Sequence, residues 1–288
     1  MTIWTTLAGT EFSLTSVDAD GIMTRSLQCG PADGEPVVFL HGTSGHLEAF
    51  VRNLRAHADA GYRCHAIDMV GHGYTDKPGY RYEIPTYRDH LVAYLDAIGA
   101  PRAHLVGESL GGWVAARLAA DAPQRVGSLQ LLCPGGTKAD PAVMARIRNS
   151  TTEAVLTDDI ALTRKRLELL MFDPAADVSD ELVEVRHAIY HQPDFVKGLP
   201  HLLCLQEPQI RERNLLTPEQ LGRVQAPTLV VWSTQNPFGA VPEGAALAAA
   251  IPGARLKIFK ECGHWPQHER AEAYNALSLA FLQEFAIA

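Results

Sequence analysis

The segment Gly107-Glu108-Ser109-Leu110-Gly111 has the G-x-S-x-G spacing in which a serine hydroxyl can act as a nucleophile. His104 to Val106 ahead of it reads as a buried strand, and Gly112 to Ala120 behind it as an apolar helix. The chemistry needs that context. A sharp strand-to-helix turn lifts the hydroxyl clear of the backbone, flanking glycines let neighbouring segments approach, and free amides at the helix start face the reacting centre. A serine also needs a base. Of the twelve histidines, His264 in Cys262-Gly263-His264-Trp265-Pro266-Gln267 follows the last strand-like run and precedes a helical pattern from about Glu269 to Ala286. It therefore comes after the serine in the chain order expected of such a site. An oxyanion requires two amide donors, and the loop His41-Gly42-Thr43-Ser44-Gly45-His46 follows the run Pro36 to Leu40. By position the donors are the N–H groups of Thr43 and Leu110. His41 and His46 read as structural or solvated, and His65, His72, His104 and His268 as surface or packing residues.

These residues need elements to hold them. Glu11 to Val17 and Ile22 to Cys29 are β-rich and joined through Ala19-Asp20-Gly21, an antiparallel hairpin with a tight Asp-Gly turn. Short apolar runs without alternation follow at Val37–Leu40, Cys64–Ile67, His104–Val106, Leu129–Leu132, Thr228–Trp232 and Arg255–Phe259. Such runs suit strands buried on both faces of a parallel sheet. Helical patterns separate most of them, as in Thr86 to Gly99, where Leu91, Leu95 and Ile98 share a face and Gly99 is placed for a left-handed cap. The alternation implies a doubly wound α/β sheet with right-handed crossovers. It fails from about Thr137 to Val224, a helical stretch with several prolines inserted after the sixth strand. An insertion at the carboxyl end of a parallel sheet lies where such folds bind ligands, so residues 137–224 are expected to form a lid over a core of residues 1–136 and 225–288.

Composition narrows the partners. The 25 basic and 33 acidic residues give a net charge of −8, with 47% hydrophobic residues and no basic runs, which argues against nucleic acid and other polyanions. The N-terminus has no basic residue before Arg25 and does not read as a signal peptide, and the uncharged stretch Ala226 to Pro242 holds three prolines and does not read as a membrane span. Five scattered cysteines without a C-x-x-C pair read as reduced core thiols in a cytoplasmic protein. No cofactor or metal is implied, since no histidine and carboxylate cluster has ligand spacing.

With HGTSG, GESLGGW and CGHWPQ located, the sequence resembles the α/β-hydrolase superfamily over nearly its whole length. More narrowly it is similar to the meta-cleavage-product hydrolases, which split a carbon–carbon bond in 2-hydroxy-6-oxo-dienoates made by ring fission of catechol-type aromatics. Val70-Gly71-His72-Gly73-Tyr74-Thr75-Asp76-Lys77-Pro78 is similar to that family's loop after the fourth strand, and Gly263, His264, Trp265 and Gln267 match its G-H-W-x-Q signature. Glu181-Leu182-Val183-Glu184-Val185-Arg186 resembles the helix carrying its carboxylate-binding arginine. The resemblance implies that Arg186 binds the substrate carboxylate, that Trp265 walls the same pocket, and that Gly42 contacts substrate. An arbitrary arginine on such a helix would instead be a solvated residue.

Two family residues that help hold the dienoate oxygens are replaced here, the Asn before the nucleophile by Glu108 and an Asn after the oxyanion loop by Ala49. Where W-G-x-x-D is usual after the penultimate strand, the chain reads Trp232-Ser233-Thr234-Gln235-Asn236. Asn236 is therefore expected in the third place of the triad, with an amide that does not enforce the histidine tautomer; Asp140 is the alternative. The expected activity is serine-dependent hydrolysis of a carbon–carbon bond in a meta-cleavage product of aromatic degradation. A carboxylesterase or lactonase acting on small esters, and a non-catalytic protein binding a small acid, are the alternatives. The expected partner is a small-molecule carboxylate or ester, with a homodimer as the one assembly considered.

Overall fold

The computed structural model describes residues 2–287. Strands β1 (Phe12–Ala19) and β2 (Ile22–Cys29) pair antiparallel with Ala19 opposite Ile22. Only Asp20 and Gly21 turn the corner, at φ 55° and 83°, the primed geometry that matches strand twist. β2 runs antiparallel to β4 (Arg63–Ile67), and the rest of the sheet is parallel: β3 (Pro36–Leu40), β5 (Ala103–Glu108), β6 (Val126–Leu132), β7 (Thr228–Ser233) and β8 (Arg255–Phe259). The order across the eight-stranded sheet is β1-β2-β4-β3-β5-β6-β7-β8.

The apolar runs lack sequence alternation because both faces of the sheet are covered. Val38, Leu40, Leu105, Leu131, Val230 and Trp232 pack to one side, and Val37, Phe39, Val106, Leu132, Leu229 and Val231 to the other. Leu54 and Ala58 of α1 (Val51–Asp59) cover the second side; α2 (Ile84–Ala97) and α3 (Leu110–Asp121) cover the first. β8 departs from the doubly buried expectation. Arg255, Leu256 and Lys257 are exposed, because β8 is an edge strand with a neighbour on one side only.

Between β6 and β7 the described residues form helices without a strand: α4 (Pro141–Leu156), α5 (Ile160–Glu168), α6 (Pro174–Asp177), α7 (Asp180–Tyr190), α8 (Pro193–Leu202), α9 (Pro208–Asn214) and α10 (Pro218–Gly222). Five of these start on proline, whose missing N–H would be unbonded in the first turn anyway. Asp140, Asp159, Asp173, Ser179 and Thr217 cap helix starts with side-chain oxygens. After β7 comes α11 (Val241–Ala250). The helix expected from about Glu269 to Ala286 is α13 (Ala271–Gln283), preceded by the short α12 (Pro266–Glu269) and separated from it at Arg270. No helix among the described residues is long and apolar enough to cross a membrane.

A close backbone approach lies between β3, β5 and α3. A Cβ at Gly111 would sit 2.1 Å from the Leu40 carbonyl oxygen, and one at Gly107 would sit 2.4 Å from Gly111 backbone. Gly111→Ala is therefore expected to destabilise the fold by about 2 kcal/mol or more, the scale of overpacking against atoms that cannot move aside. Urea unfolding checks this, and a midpoint within 0.2 M of the parent, a shift of roughly 0.2 to 0.6 kcal/mol, would refute it.

Candidate active site

Ser109 closes β5 and caps α3 with φ 51° and ψ −111°, a strained backbone for a residue with a side chain. Its N–H donates to the Leu132 carbonyl at 3.0 Å and holds the turn against β6, while Gly111 N–H donates to the His41 carbonyl at 3.1 Å and ties it to the loop after β3. Leu110 is the first residue of the helix, so its N–H has no acceptor within it. Thr43, Ser109, Leu110, Asn236 and His264 line one cavity. A second, smaller space shares Thr43, Ser109 and His264 and adds Gly42, Glu108, Arg166, Arg186 and Trp265.

The loop carrying His264 is held by one carboxylate. Glu269 accepts the N–H groups of Gly263 (2.8 Å), Trp265 (2.9 Å) and Phe172 (2.8 Å), so it also ties the loop to the chain following α5. His264 N–H donates to the Leu170 carbonyl at 2.6 Å, and a Cβ at Gly263 would meet that oxygen at 2.3 Å. His264 Nδ1 lies 2.8 Å from Asn236 Oδ1. The same oxygen accepts the Phe238 N–H at 3.2 Å. A backbone N–H can only donate, so the amide presents oxygen, not nitrogen, to the imidazole, and Nδ1 carries the proton. This corrects the expectation that an amide in this place leaves the tautomer open. Asp140 accepts the N–H groups of Ala142 and Val143 at the start of α4 and pairs with Lys138; it lines the larger cavity but makes no contact with His264.

Arg186 is buried, which overturns the reading of a solvated helix face. It shares the inner stripe of α7 with Leu182, Val183, Ile189 and Tyr190, a 3.6-residue periodicity that already stood in the sequence. Its Nε donates to His46 Nε2 at 3.2 Å and Nη1 to Tyr190 Oη at 3.5 Å, while Nη2 has no hydrogen-bond partner. The guanidinium lies over the Trp265 ring at 5.2 Å. Arginine cannot accept, so His46 Nε2 is bare and Nδ1 donates to Glu48 at 2.7 Å. Burial and the Arg186 charge push the His46 imidazole below its ordinary range, keeping it neutral. Burial pushes the Glu48 carboxyl up, but the hydrogen bond from His46 and the Arg25 guanidinium outweigh it and hold it below the usual carboxylate range. His41 is buried and held at about 3 by that burial; its Nε2 accepts the Met69 N–H.

Several neighbours carried no separate signal in the sequence. Arg166 on α5 is buried, burial pushes its guanidinium down, and its Nη1 is unpartnered. Phe238 meets His264 edge-on at 4.8 Å. Glu108 is buried with neither carboxylate oxygen hydrogen-bonded, and Oε1 stands 3.1 Å from His264 Nε2. Gly42 makes room for it, since a Cβ there would meet Oε2 at 2.5 Å. Ala49 is buried and lines neither space. Asp158, His187 and His191 bring ligand-type atoms within 4.8 Å of one another, a grouping that chain spacing did not reveal, and none of them lines these spaces.

Glu269→Gln removes one acceptor oxygen and the charge from three backbone donors. It is expected to cost about 1.5 to 3 kcal/mol in urea unfolding and to lower turnover by loosening His264. Unchanged stability would show that the loop holds itself.

The sequence profile of the alpha/beta hydrolase fold family matches residues 35–271. A 2-hydroxy-6-oxo-6-phenylhexa-2,4-dienoate hydrolase of Comamonas testosteroni is 31% identical over 260 residues, covering 88% of this chain and 89% of the relative. A 2-hydroxy-6-oxononadienedioate/2-hydroxy-6-oxononatrienedioate hydrolase of the same species is 32% identical, covering 87% and 88%. Among solved structures, a meta-cleavage product hydrolase of Pseudomonas fluorescens IP01, complexed with acetates, superposes with a TM-score of 0.83 at 27% identity over 94% of this chain and 97% of that one. The eight-stranded sheet, the strained serine turn and these matches agree: the chain belongs to the α/β-hydrolase family.

Proposed function

We propose that the protein hydrolyses a carbon–carbon bond in a 2-hydroxy-6-oxo-dienoate, with Ser109 as nucleophile, His264 as base and Asn236 orienting His264. The observation that carries this reading is the buried, unpaired cation beside the serine. Arg186 forms no ion pair among the described residues, and its free Nη2 and the free Nη1 of Arg166 belong to the space that Ser109 lines. An unpaired buried guanidinium is costly unless an anion completes it, and a planar carboxylate matches its fork. The similarity to dienoate hydrolases supplies the substrate class.

With the carboxylate on Arg186, against the Trp265 wall, the dienol chain points toward Ser109 and its ketone end enters the larger cavity. Ketonisation of the dienol comes first, moving a proton from oxygen to carbon to create an electron sink. The hydroxyl of Ser109, or water in its place, then attacks the ketone while His264 takes the proton, and the N–H groups of Thr43 and Leu110 receive the oxyanion. Helices α4 to α9 act as the lid, supplying Ile147, Arg186, Leu205 and Arg211 to the walls. The five cysteines are free and buried, which suits a reducing cytoplasm.

The larger cavity has its own polar feature. Lys138 is committed to Glu243 and Asp140, but Arg211 is buried, donates only to the carbonyls of Lys138 and Leu205, and burial pushes its guanidinium down to about 10. This favours a substrate tail ending in a carboxylate. The dienedioate is expected to be turned over with kcat/KM at least fivefold above the 6-phenyl dienoate, and Arg211→Met to erase the difference; a phenyl preference would refute the tail assignment.

Loss of the visible dienolate absorbance tests the reaction itself. Ser109→Ala is expected to lose more than nine-tenths of turnover while still binding substrate. Arg186→Ala is expected to cost about 2 to 4 kcal/mol in kcat/KM on dienoates and little on neutral esters. An equal fall on both substrates would make Arg186 a folding residue and remove the main support for a carboxylate substrate.

A further inference from the structure

The carboxylate and the amide around His264 stand in unexpected places. On the Nδ1 side is the neutral Asn236, its oxygen fixed by Phe238, so Nδ1 holds a proton. On the Nε2 side is Glu108, buried, with neither oxygen hydrogen-bonded and Oε1 at ion-pair distance, 3.1 Å, from Nε2. A carboxylate oxygen and a bare ring nitrogen repel at that distance in a site of low dielectric, so the pair holds a proton on one of its two members. The groups with charge or titratable protons that face the pair are Arg166 of α5, Arg186 of α7 and Cys133 just beyond β6. Both arginines are cations, and burial pushes the Cys133 thiol up and keeps it neutral. The Gly42 position leaves Glu108 room for this contact.

We propose that Glu108, the residue preceding the nucleophile, supplies the carboxylate of this active site, sharing one proton with His264 Nε2 and transferring protons to and from the substrate. The proposal rests on the dienoate reading above. In the resting site the shared proton sits mostly on Nε2, so without ketonisation, as on an ester, Ser109 gives up its proton only in the fraction with the shared proton on Glu108 and Nε2 bare. Ketonisation releases it. The dienol O–H bond breaks and its proton passes to Glu108, the freed electron pair forms the C=O bond, the diene electrons shift, and a C–H bond forms with the proton from Nε2. Glu108 gains one proton, His264 loses one, and the substrate is only isomerised. His264 can now accept the proton of Ser109 as the hydroxyl attacks the ketone. When the C–C bond breaks, its electron pair returns through the chain to the carbonyl oxygen, which takes the proton back from Glu108. Water then opens the acyl-enzyme, its proton passing to Glu108 as it adds to the acyl carbon while Nε2 of His264 returns its proton to the leaving Ser109 oxygen, and the pair again holds one proton.

The test measures wild type, Glu108→Gln and the exchanged double variant Glu108→Asn with Asn236→Asp, using 2-hydroxy-6-oxo-6-phenylhexa-2,4-dienoate and 4-nitrophenyl acetate. Glu108→Gln is expected to lower dienoate kcat by about 100-fold or more, the scale of general acid–base catalysis, with KM within threefold and one ionisation lost from the pH profile of kcat. The double variant, with a carboxylate on the Nδ1 side, is expected to match or exceed wild type on the ester while ketonisation stays slow in stopped-flow traces. Dienoate turnover above one-third of wild type in Glu108→Gln, with an unchanged pH profile, would overturn the proposal. Nitrogen-15 NMR of His264 in the unmodified protein needs no variant to fold. A protonated Nδ1 and an Nε2 whose shift tracks a carboxyl titration support the sharing, and a bare Nδ1 overturns it. If wild type hydrolyses the ester but leaves the dienoate intact, the substrate reading fails. The proton sharing is then judged by NMR and by the ester pH profile of Glu108→Gln.

Discussion

The site depends on one close approach of backbone to backbone. The Leu40 carbonyl at the end of β3 lies where a side chain of Gly111 would otherwise stand. That contact brings the loop 41–46 against the first turn of α3, so that an amide after β3 and an amide after β5 can address the same oxygen. The strained Ser109 turn persists because β6 and the His41 carbonyl hold it from both sides. Parallel pairing of β3 with both β4 and β5 makes the approach possible, since all three strands end at the same edge of the sheet.

The helices over that edge bring charge to an apolar setting. Apolar residues bury the inner face of α7, and Arg186 enters with them. It is held from behind by a chain of side chains running through His46, Glu48 and Arg25 to Asp68. Each member of that chain is satisfied by its neighbour, which fixes the guanidinium in direction and leaves Nη2 unmatched on a residue that lines the same space as the serine. Arg166 adds a second unmatched N–H, and Glu108 an unmatched carboxylate. Two buried guanidinium groups with one unmatched nitrogen each and a buried carboxylate with neither oxygen hydrogen-bonded, all around one space, are destabilising in isolation, and their persistence is understandable where a ligand completes them.

His264 shows how distant segments combine at one side chain. Its ring is set by Asn236 after β7, its loop by Glu269 at the end of α12, and its main chain by Leu170 after α5. The break at Arg270 between α12 and α13 sits immediately after Glu269, whose carboxylate reaches back to three amides.

Local pattern carried most of the architecture. The Asp20-Gly21 turn, the unalternating strands, the elbow around Ser109 and the proline-led helices after β6 all follow from steric rules acting within a few residues. The sequence also placed Ser109, His264, Thr43 and Leu110 at strand ends, because the parallel order of strands converts chain position into position on one edge. The charges Arg255 and Lys257, alternating with Leu256 and Ile258, already set β8 apart from the apolar strands, as befits an edge strand. The sequence could not say which way the Asn236 amide points, a matter settled by the Phe238 N–H. The burial of Arg186 was readable from its stripe on α7, but its partner His46 lies 140 residues away in the chain. Glu108 stood out only as a substitution, and its meaning came from folding. Charge acts through space, and only the assembled sheet and helices set that carboxylate 3.1 Å from the imidazole of a residue 156 positions later, with no solvent between to screen it.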